Sequence, residues 1–373
     1  MEEHVVLSAR DQNALAKGER LMLHRDTVSN ASADPLANVS DGAMASVVDA
    51  KALAAYYLAR HQRYRGVGPV RWGRSGAAIW VNGTKGARTS VDAVAEGFEL
   101  MSSPVSGNAQ TLHGEGSVWN GVDTLISPPD AAIFSALLWE HQPDLLIEIG
   151  TECGGSALFF ATLLRMVHGR HPPDGAGDAP PPRRRVHPLV LTYDVTPTYW
   201  RCGGVHPSGR RMLKAYKSAL WKQYLAEGIL EARIADVGTP TEQARVRDYA
   251  KAARRVWVID DGDHFATSLL VHFHLLARHV TPGGYYVVAD TRLERTCRTA
   301  WLAVRARTPY CLKLLTREGG PARAVHYLRA HHPLFRCGAF KVDRSAEMWA
   351  LTQHPGGWLR RSGVNCSYSS KSN

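Results

Sequence analysis

The chain has 373 residues, 45% of them hydrophobic, enough for one large domain with an added segment. Its formal net charge is +11, from 45 Lys+Arg against 34 Asp+Glu. The basic residues are dispersed, and no basic helix is interleaved with aromatics. A basic surface is therefore expected rather than a nucleic-acid partner.

Residues 1–117 carry few signals. "SVVDAKALAAYYLARHQRYR" (46–65) has the spacing of a helix, and "RWGRSGAAIWVNGTKG" reads as a Gly-rich hairpin or loops. From about 118 the pattern is regular. Strands are predicted at 145–149, 189–194, 231–236, 256–260 and 285–290. Helices are predicted at 130–141, 155–168, 207–227, 240–253, 266–279 and 321–331. Such alternation predicts an α/β fold with a mostly parallel, doubly wound sheet. "AFKVD" and "EMWALTQ" read as a terminal antiparallel hairpin at one sheet edge. The Pro/Gly-rich stretch 169–188 reads as a disordered insertion, and 362–373 as a flexible tail. The expected organisation is thus an N-terminal extension (1–117), a catalytic domain (118–361) and the tail.

No apolar run approaches the length of a membrane-spanning helix, and the N-terminus has no signal-peptide core. The six cysteines (Cys153, Cys202, Cys297, Cys311, Cys337, Cys366) form no CxxC pair. Free thiols in a reducing, cytoplasmic compartment are expected, with Cys153 acting as a small apolar residue. The sequons at Asn30, Asn38, Asn82 and Asn365 are then incidental.

Chemistry is expected where strands end in acids: Asp194, Asp236, Asp260 with Asp261 and Asp263, and Asp290. In an open parallel sheet these ends line one crevice. "EIGTECGGS" (148–156) adds Glu148 within a strand, Gly150 at its end, and Gly154 and Gly155 at a helix start. The spacing is neither G-x-G-x-x-G nor a GK[ST] loop. Glu148 disfavours a phosphate and suits a cation, and Asp194 can accept hydrogen bonds from a ribose diol. A cationic, unphosphorylated nucleoside meets both demands, namely S-adenosylmethionine. Ser127-Pro-Pro-Asp130 reads as a capping box, and Trp119 as a packing residue.

The pieces "WNGVDTLISPPDAAIF", "LLWEHQPDLLIEIGTECGGSALFFA", "DGDHFATSLLVHFHLLARHVTPGGYYVVADT", "GGPARAVHYL" and "LTQHPGGWLRR" occur in order over about 118–361. Together they resemble the cephalosporin hydroxylase / rhamnosyl O-methyltransferase family of class I S-adenosylmethionine-dependent methyltransferases. The resemblance implies a Rossmann-like fold and O-methylation of a sugar or other polar small molecule. It implies cofactor binding at Gly150, Thr151, Gly154, Gly155, Ser156 and Asp194, with Glu148 at the methionyl end and Asp236 bordering adenine. It further implies Mg²⁺ held by Asp263 and Asp290, and His264 with Asp263 as catalytic residues. Members usually carry an acid just before the second metal Asp; here that position is Ala289, and Asp261 or Glu294 could supply the missing ligand. A hydroxylase-related or non-catalytic cofactor-binding protein of the same family is the alternative. The expected partner is a small-molecule substrate, with no nucleic acid or membrane, and a homo-oligomer is compatible.

Overall fold

The central strand runs are mainly apolar and present no polar face to water, so they must lie between two layers of helix, whereas the run at 230–234, with Glu231 and Arg233, suits an edge. The computed structural model describes residues 117–124, 126–169, 188–196, 213–294, 297, 309–343, 352, 354 and 356–366. The elements bearing on the site are β3 (Leu145–Ile149), β4 (Val190–Asp194), β5 (Leu230–Ile234), β6 (Val256–Asp260), β7 (Tyr285–Val288), β8 (Phe340–Val342) and β9 (Trp358–Arg361). They follow a small antiparallel pair, β1 (Ser117–Trp119) and β2 (Val122–Thr124). The seven strands lie in the order β5-β4-β3-β6-β7-β9-β8. The first five pair in parallel, and β9 pairs antiparallel with both β7 and β8. This is the Rossmann-like sheet expected from the sequence. The strand order reverses beside β3, so the crevice for a ligand opens outside the carboxyl ends of β3 and β6.

Alternate residues of each strand feed opposite cores. Leu145, Ile147, Val256, Val258 and Tyr286 pack with α5 (Ala266–Leu276) and α7 (Pro321–His331). Leu146, Trp257, Ile259, Tyr285 and Trp358 pack with α1 (Pro128–His141), α2 (Gly155–Gly169) and α3 (Ala219–Ala226). Every residue of β3 and β6 is buried, which is what their unbroken apolar runs demand. The Ser127 capping box forms: Ser127 Oγ donates to Asp130 Oδ2 at 2.5 Å and accepts from the Asp130 N–H at 3.2 Å. Trp119 packs edge-on against Phe159 and donates to Thr162 Oγ1. The remaining helices are α4 (Pro240–Ala252), α6 (Pro309–Lys313) and α8 (Pro333–Arg336).

Several expectations are corrected. The helix predicted over 207–227 begins only at Ala219, because Ser218 takes an extended conformation and caps it; 207–212 lie outside the described residues. Asp236 falls beyond β5, since its Oδ1 accepts the Gly238 N–H at 2.7 Å and turns the chain. Asp290 falls beyond β7, since its φ of 52° cannot continue a strand. The partner of "AFKVD" is Trp358–Arg361. All of the strand predicted at "EMWALTQ" except Thr352, which lies in a bend, the helix at 46–65, the hairpin after it, nearly all of the 169–188 insertion and the end of the tail lie outside the described residues. No helix among the described residues is long and apolar enough to cross a membrane.

The expectation of free thiols is overturned. Cys297 bonds Cys311, and Cys337 bonds Cys366, across 14 and 29 residues. Cys153 is disulfide-bonded as well, and no described cysteine is free. Local spacing gave no warning, because the fold rather than the sequence brings these Cα atoms to 5.2 and 5.9 Å. The ground for expecting a reducing compartment is thereby removed. Replacing Cys337 and Cys366 together by Ser is expected to lower unfolding stability by about 3 kcal/mol in a denaturant titration, from the loop that is released.

Candidate active site

The site begins with a glycine that has no room for a side chain. Gly150 leaves β3 with φ +95°, and its N–H donates to the Tyr193 carbonyl at 2.8 Å. A Cβ there would run into the backbone carbonyl of Asp261, while the Asp261 N–H donates to the Ile149 carbonyl at 2.8 Å. The loops after β3 and β6 are thus pressed together, backbone on backbone. Gly154, at φ +82°, is closed off in the same way by Ala215 and Trp221. Gly155 and Ser156 then open α2.

Glu148 lies beneath this turn with 1% of its surface exposed. Thr192 Oγ1 donates to its Oε2 at 2.6 Å, and Thr192 Oγ1 lies 2.7 Å from Thr151 Oγ1. Burial pushes the Glu148 carboxyl up to about 7, against hydrogen bonds from Thr192 and Ser156, and the Asp194 charge adds to the rise. Asp194 ends β4; its Oδ2 accepts the Glu152 N–H at 2.9 Å, and its Oδ1 accepts from Thr196. Glu148, Gly150, Thr151, Gly154, Gly155, Ser156 and Asp194 therefore share one end of β3 and β4. Asp236 stands apart after β5, exposed and engaged in its own turn.

A second group gathers beside it. Asp261, His264 and Asp290 each offer a ligand atom, all within 4.8 Å of one another. His264 Nδ1 is 4.0 Å from Asp261 Oδ1, and His264 Nε2 is 3.8 Å from Asp290 Oδ2. His264 holds φ +60°, a left-handed conformation that costs energy outside glycine. Desolvation, then the charges of Asp290, Glu148, Asp260 and Asp130, hold the Asp261 carboxyl well above its ordinary range. Asp260 itself is fully buried and braced by the Tyr286 hydroxyl at 2.8 Å and by His272 Nδ1 at 3.2 Å, which fixes the end of β6.

The acid beside Asp261 that the sequence favoured is otherwise engaged. Asp263 Oδ1 accepts the Phe265 N–H at 3.0 Å, closing a turn two residues long, and Oδ2 accepts from Ser268 at 2.7 Å, which ties the loop to the first turn of α5. It is not among the three clustered donors. Ala289 is buried, with its N–H on the Asp260 carbonyl. Glu294 accepts the Gly320 N–H and sits 3.9 Å from Arg323. Of the two acids considered for the missing ligand, Asp261 joins the cluster.

One residue of the site had no assigned role in the sequence. His354 Nδ1 accepts the Asp290 N–H at 2.8 Å, and its Nε2 is 3.8 Å from Asp130 Oδ2. Thr352 Oγ1 donates to the other Asp130 oxygen. Asp130 is therefore both a helix-capping residue and a wall of the site. The only sequence signal was the "LTQHPGG" piece, which carried resemblance but no chemistry. Two carboxylates and an imidazole converging at one crevice fit a divalent cation.

Gly150→Ala is expected to destabilise the fold by roughly 1–3 kcal/mol or more, from positive φ and the collision with Asp261 together. Gly169→Ala, where a Cβ meets nothing within 4 Å, is the control and is expected to melt like the parent or higher.

Comparison with known proteins places the chain in a family. The family described as Rhamnosyl O-methyltransferase/CmcI matches residues 114–212 and 235–362. A rhamnosyl O-methyltransferase of Mycobacterium leprae is 26% identical over 179 residues, covering 48% of this chain and 62% of that protein. One from Mycobacterium tuberculosis is 23% identical over 181 residues, covering 48% and 58%. The chain thus spans about three fifths of the length of these relatives. Among solved structures, an apo form of CmcI is 16% identical over 66% of this chain and 77% of that one, with a TM-score of 0.37. The O-methyltransferase TomG from Streptomyces achromogenes is 14% identical over 64% and 82%, with a TM-score of 0.33. Taken with the ordered motifs, the match to both halves of the domain means that the chain belongs to the Rhamnosyl O-methyltransferase/CmcI family.

Proposed function

We propose that the chain is an S-adenosylmethionine-dependent O-methyltransferase acting on a hydroxyl of a sugar or another polar small molecule. The observation that carries this reading is Glu148, a buried carboxylate under a glycine turn, with Asp194 at the next strand end. A buried carboxylate is costly unless a cation reaches it. The methionyl ammonium and sulfonium supply that cation, and Asp194 accepts from the ribose diol. The family's rhamnosyl O-methyltransferases support a sugar acceptor.

The transfer is an in-line displacement. The acceptor oxygen forms a bond to the methyl carbon, the carbon–sulfur bond breaks, and its electron pair neutralises the sulfonium. The hydroxyl proton must leave, and Asp261, His264 and Asp290 are the acid–base groups beside the cofactor turn. A divalent cation bound by these three residues would lower the acceptor hydroxyl's pKa; Mg²⁺ is the ion that the family resemblance implies. His264 orients between the two carboxylates, and His354 fixes the Asp290 backbone. Asp263 shapes the loop that carries His264. The sulfonium already holds the driving force, so positioning provides most of the catalysis.

Titration calorimetry with S-adenosylmethionine is expected to show binding by the native chain. Glu148→Gln, which keeps the shape and removes the charge, is expected to lose about 1.5–3 kcal/mol of affinity, roughly tenfold or more. Labelled methyl transfer to a panel of sugars and phenols then identifies the acceptor. Full affinity in the Gln variant would contradict the assignment of Glu148.

A further inference from the structure

We infer that the Asp261–His264–Asp290 centre selects a borderline transition ion such as Co²⁺ over the harder ions Mg²⁺ and Mn²⁺. The inference rests on the proposed reading of this group as a cation centre and names its preference. Next to Asp290 stands Ala289, whose buried methyl group offers no ligand atom. What gathers instead is two carboxylates and one imidazole. Mg²⁺ requires hard oxygen donors in near-ideal octahedral geometry and keeps its waters. Imidazole nitrogen suits the later first-row ions, whereas Mn²⁺, like Mg²⁺, goes with carboxylate and water oxygen, and affinity rises in the order Mn²⁺ < Fe²⁺ < Co²⁺. The carboxylates serve both classes of ion, so the nitrogen decides between them. His354 strengthens the case: by accepting the Asp290 N–H at 2.8 Å it fixes the turn that presents the Asp290 carboxylate to His264. Such outer contacts orient ligands and tune affinity.

The test is calorimetric titration of the chelator-stripped full chain with Mn²⁺, Co²⁺ and Mg²⁺, with the visible absorption of bound Co²⁺ as a second readout. Native protein is expected to bind Co²⁺ about tenfold or more tightly than Mg²⁺ or Mn²⁺. His264→Asp, an all-oxygen centre, is expected to lose most of that preference and to shift the Co²⁺ absorption bands. His264→Gln serves if the Asp variant fails to melt cooperatively. Equal affinities in the native chain, an unchanged preference in the variants, or no binding of any ion overturns the inference. S-adenosylmethionine titrated in parallel keeps these outcomes separate, since cofactor binding without a metal preference leaves the Glu148 assignment standing.

Independently, we infer from the paired cysteines that the chain matures in an oxidising compartment and that its disulfides hold two walls of the site. Cys153 lies inside the glycine turn. Cys297–Cys311 packs with Leu293 and Leu314 against Phe265 and Tyr310, and the Tyr310 hydroxyl donates to the Asp263 carbonyl at 3.2 Å. Each bond forms as two thiols lose two protons and two electrons to a disulfide oxidant, such as an oxidised thiol oxidoreductase. The full chain produced under oxidising and under reducing conditions in one host distinguishes the outcomes. Oxidised protein, denatured without reductant, is expected to alkylate at no more than one of its six cysteines, to melt higher, and to bind S-adenosylmethionine more tightly. Six reactive thiols together with unchanged melting and cofactor affinity would overturn it.

Discussion

The site depends on one close approach, that of Gly150 to the Asp261 carbonyl. The Asp261 oxygen occupies the space a side chain at 150 would need, and the Asp261 N–H closes onto Ile149. This brings the loop after β3, which carries the cofactor-facing glycines, against the loop after β6, which carries Asp261 and His264. Because β3 and β6 are neighbours in register, Glu148 opposite Ile259 and Ile149 opposite Asp260, the two half-sites share one crevice. The parallel sheet supplies the rest: Asp194 arrives on one side from β4, and Asp290 on the other just past β7.

The second constraint is charge. Asp130, Glu148, Asp260, Asp261 and Asp290 act on one another strongly enough to lift the Asp261 carboxyl, and most are buried. Such convergence opposes folding unless hydrogen bonds or cations compensate. Thr192, Tyr286, His272, Thr352 and His354 provide part of that compensation. A cationic cofactor and a divalent ion would provide more, so the same charges that burden the unliganded fold are the ones the proposed chemistry uses. Stability and function meet in these carboxylates.

Much of this was legible in the sequence, for identifiable reasons. Short, mainly apolar runs of five residues, too brief for a helix and alternating with helical segments, point to buried parallel strands, and β3 and β6 were bounded correctly on that basis. Ser127-Pro-Pro-Asp130 announced its helix through local hydrogen bonding. The cofactor turn was legible because glycine is needed where backbones touch. What escaped depends on contacts between distant segments. Asp261 and Asp263 are both acids in one loop, and only the hydrogen bonds that Asp263 accepts from Phe265 and Ser268 separate them. His354 reaches Asp290 across 64 residues, and the cysteine pairs form across turns that no spacing rule encodes. Strand ends at Asp236 and Asp290 were overextended because turn-forming acids look like strand caps until backbone dihedrals are known.

The central claim is that buried Glu148 accepts a cationic cofactor. In the unliganded chain its carboxyl titrates at about 7, so a cation that requires the charged form must expel the proton wherever the pH lies below that value. Cofactor affinity should then fall about tenfold per pH unit below neutrality and level off above it. The direct measurement is S-adenosylmethionine calorimetry in two buffers of different ionisation enthalpy. The account predicts release of nearly one proton per cofactor bound at about pH 6 and almost none at about pH 8, with the release absent in Glu148→Gln. Binding with no proton release at the lower pH, or the same release in the Gln variant, would contradict it.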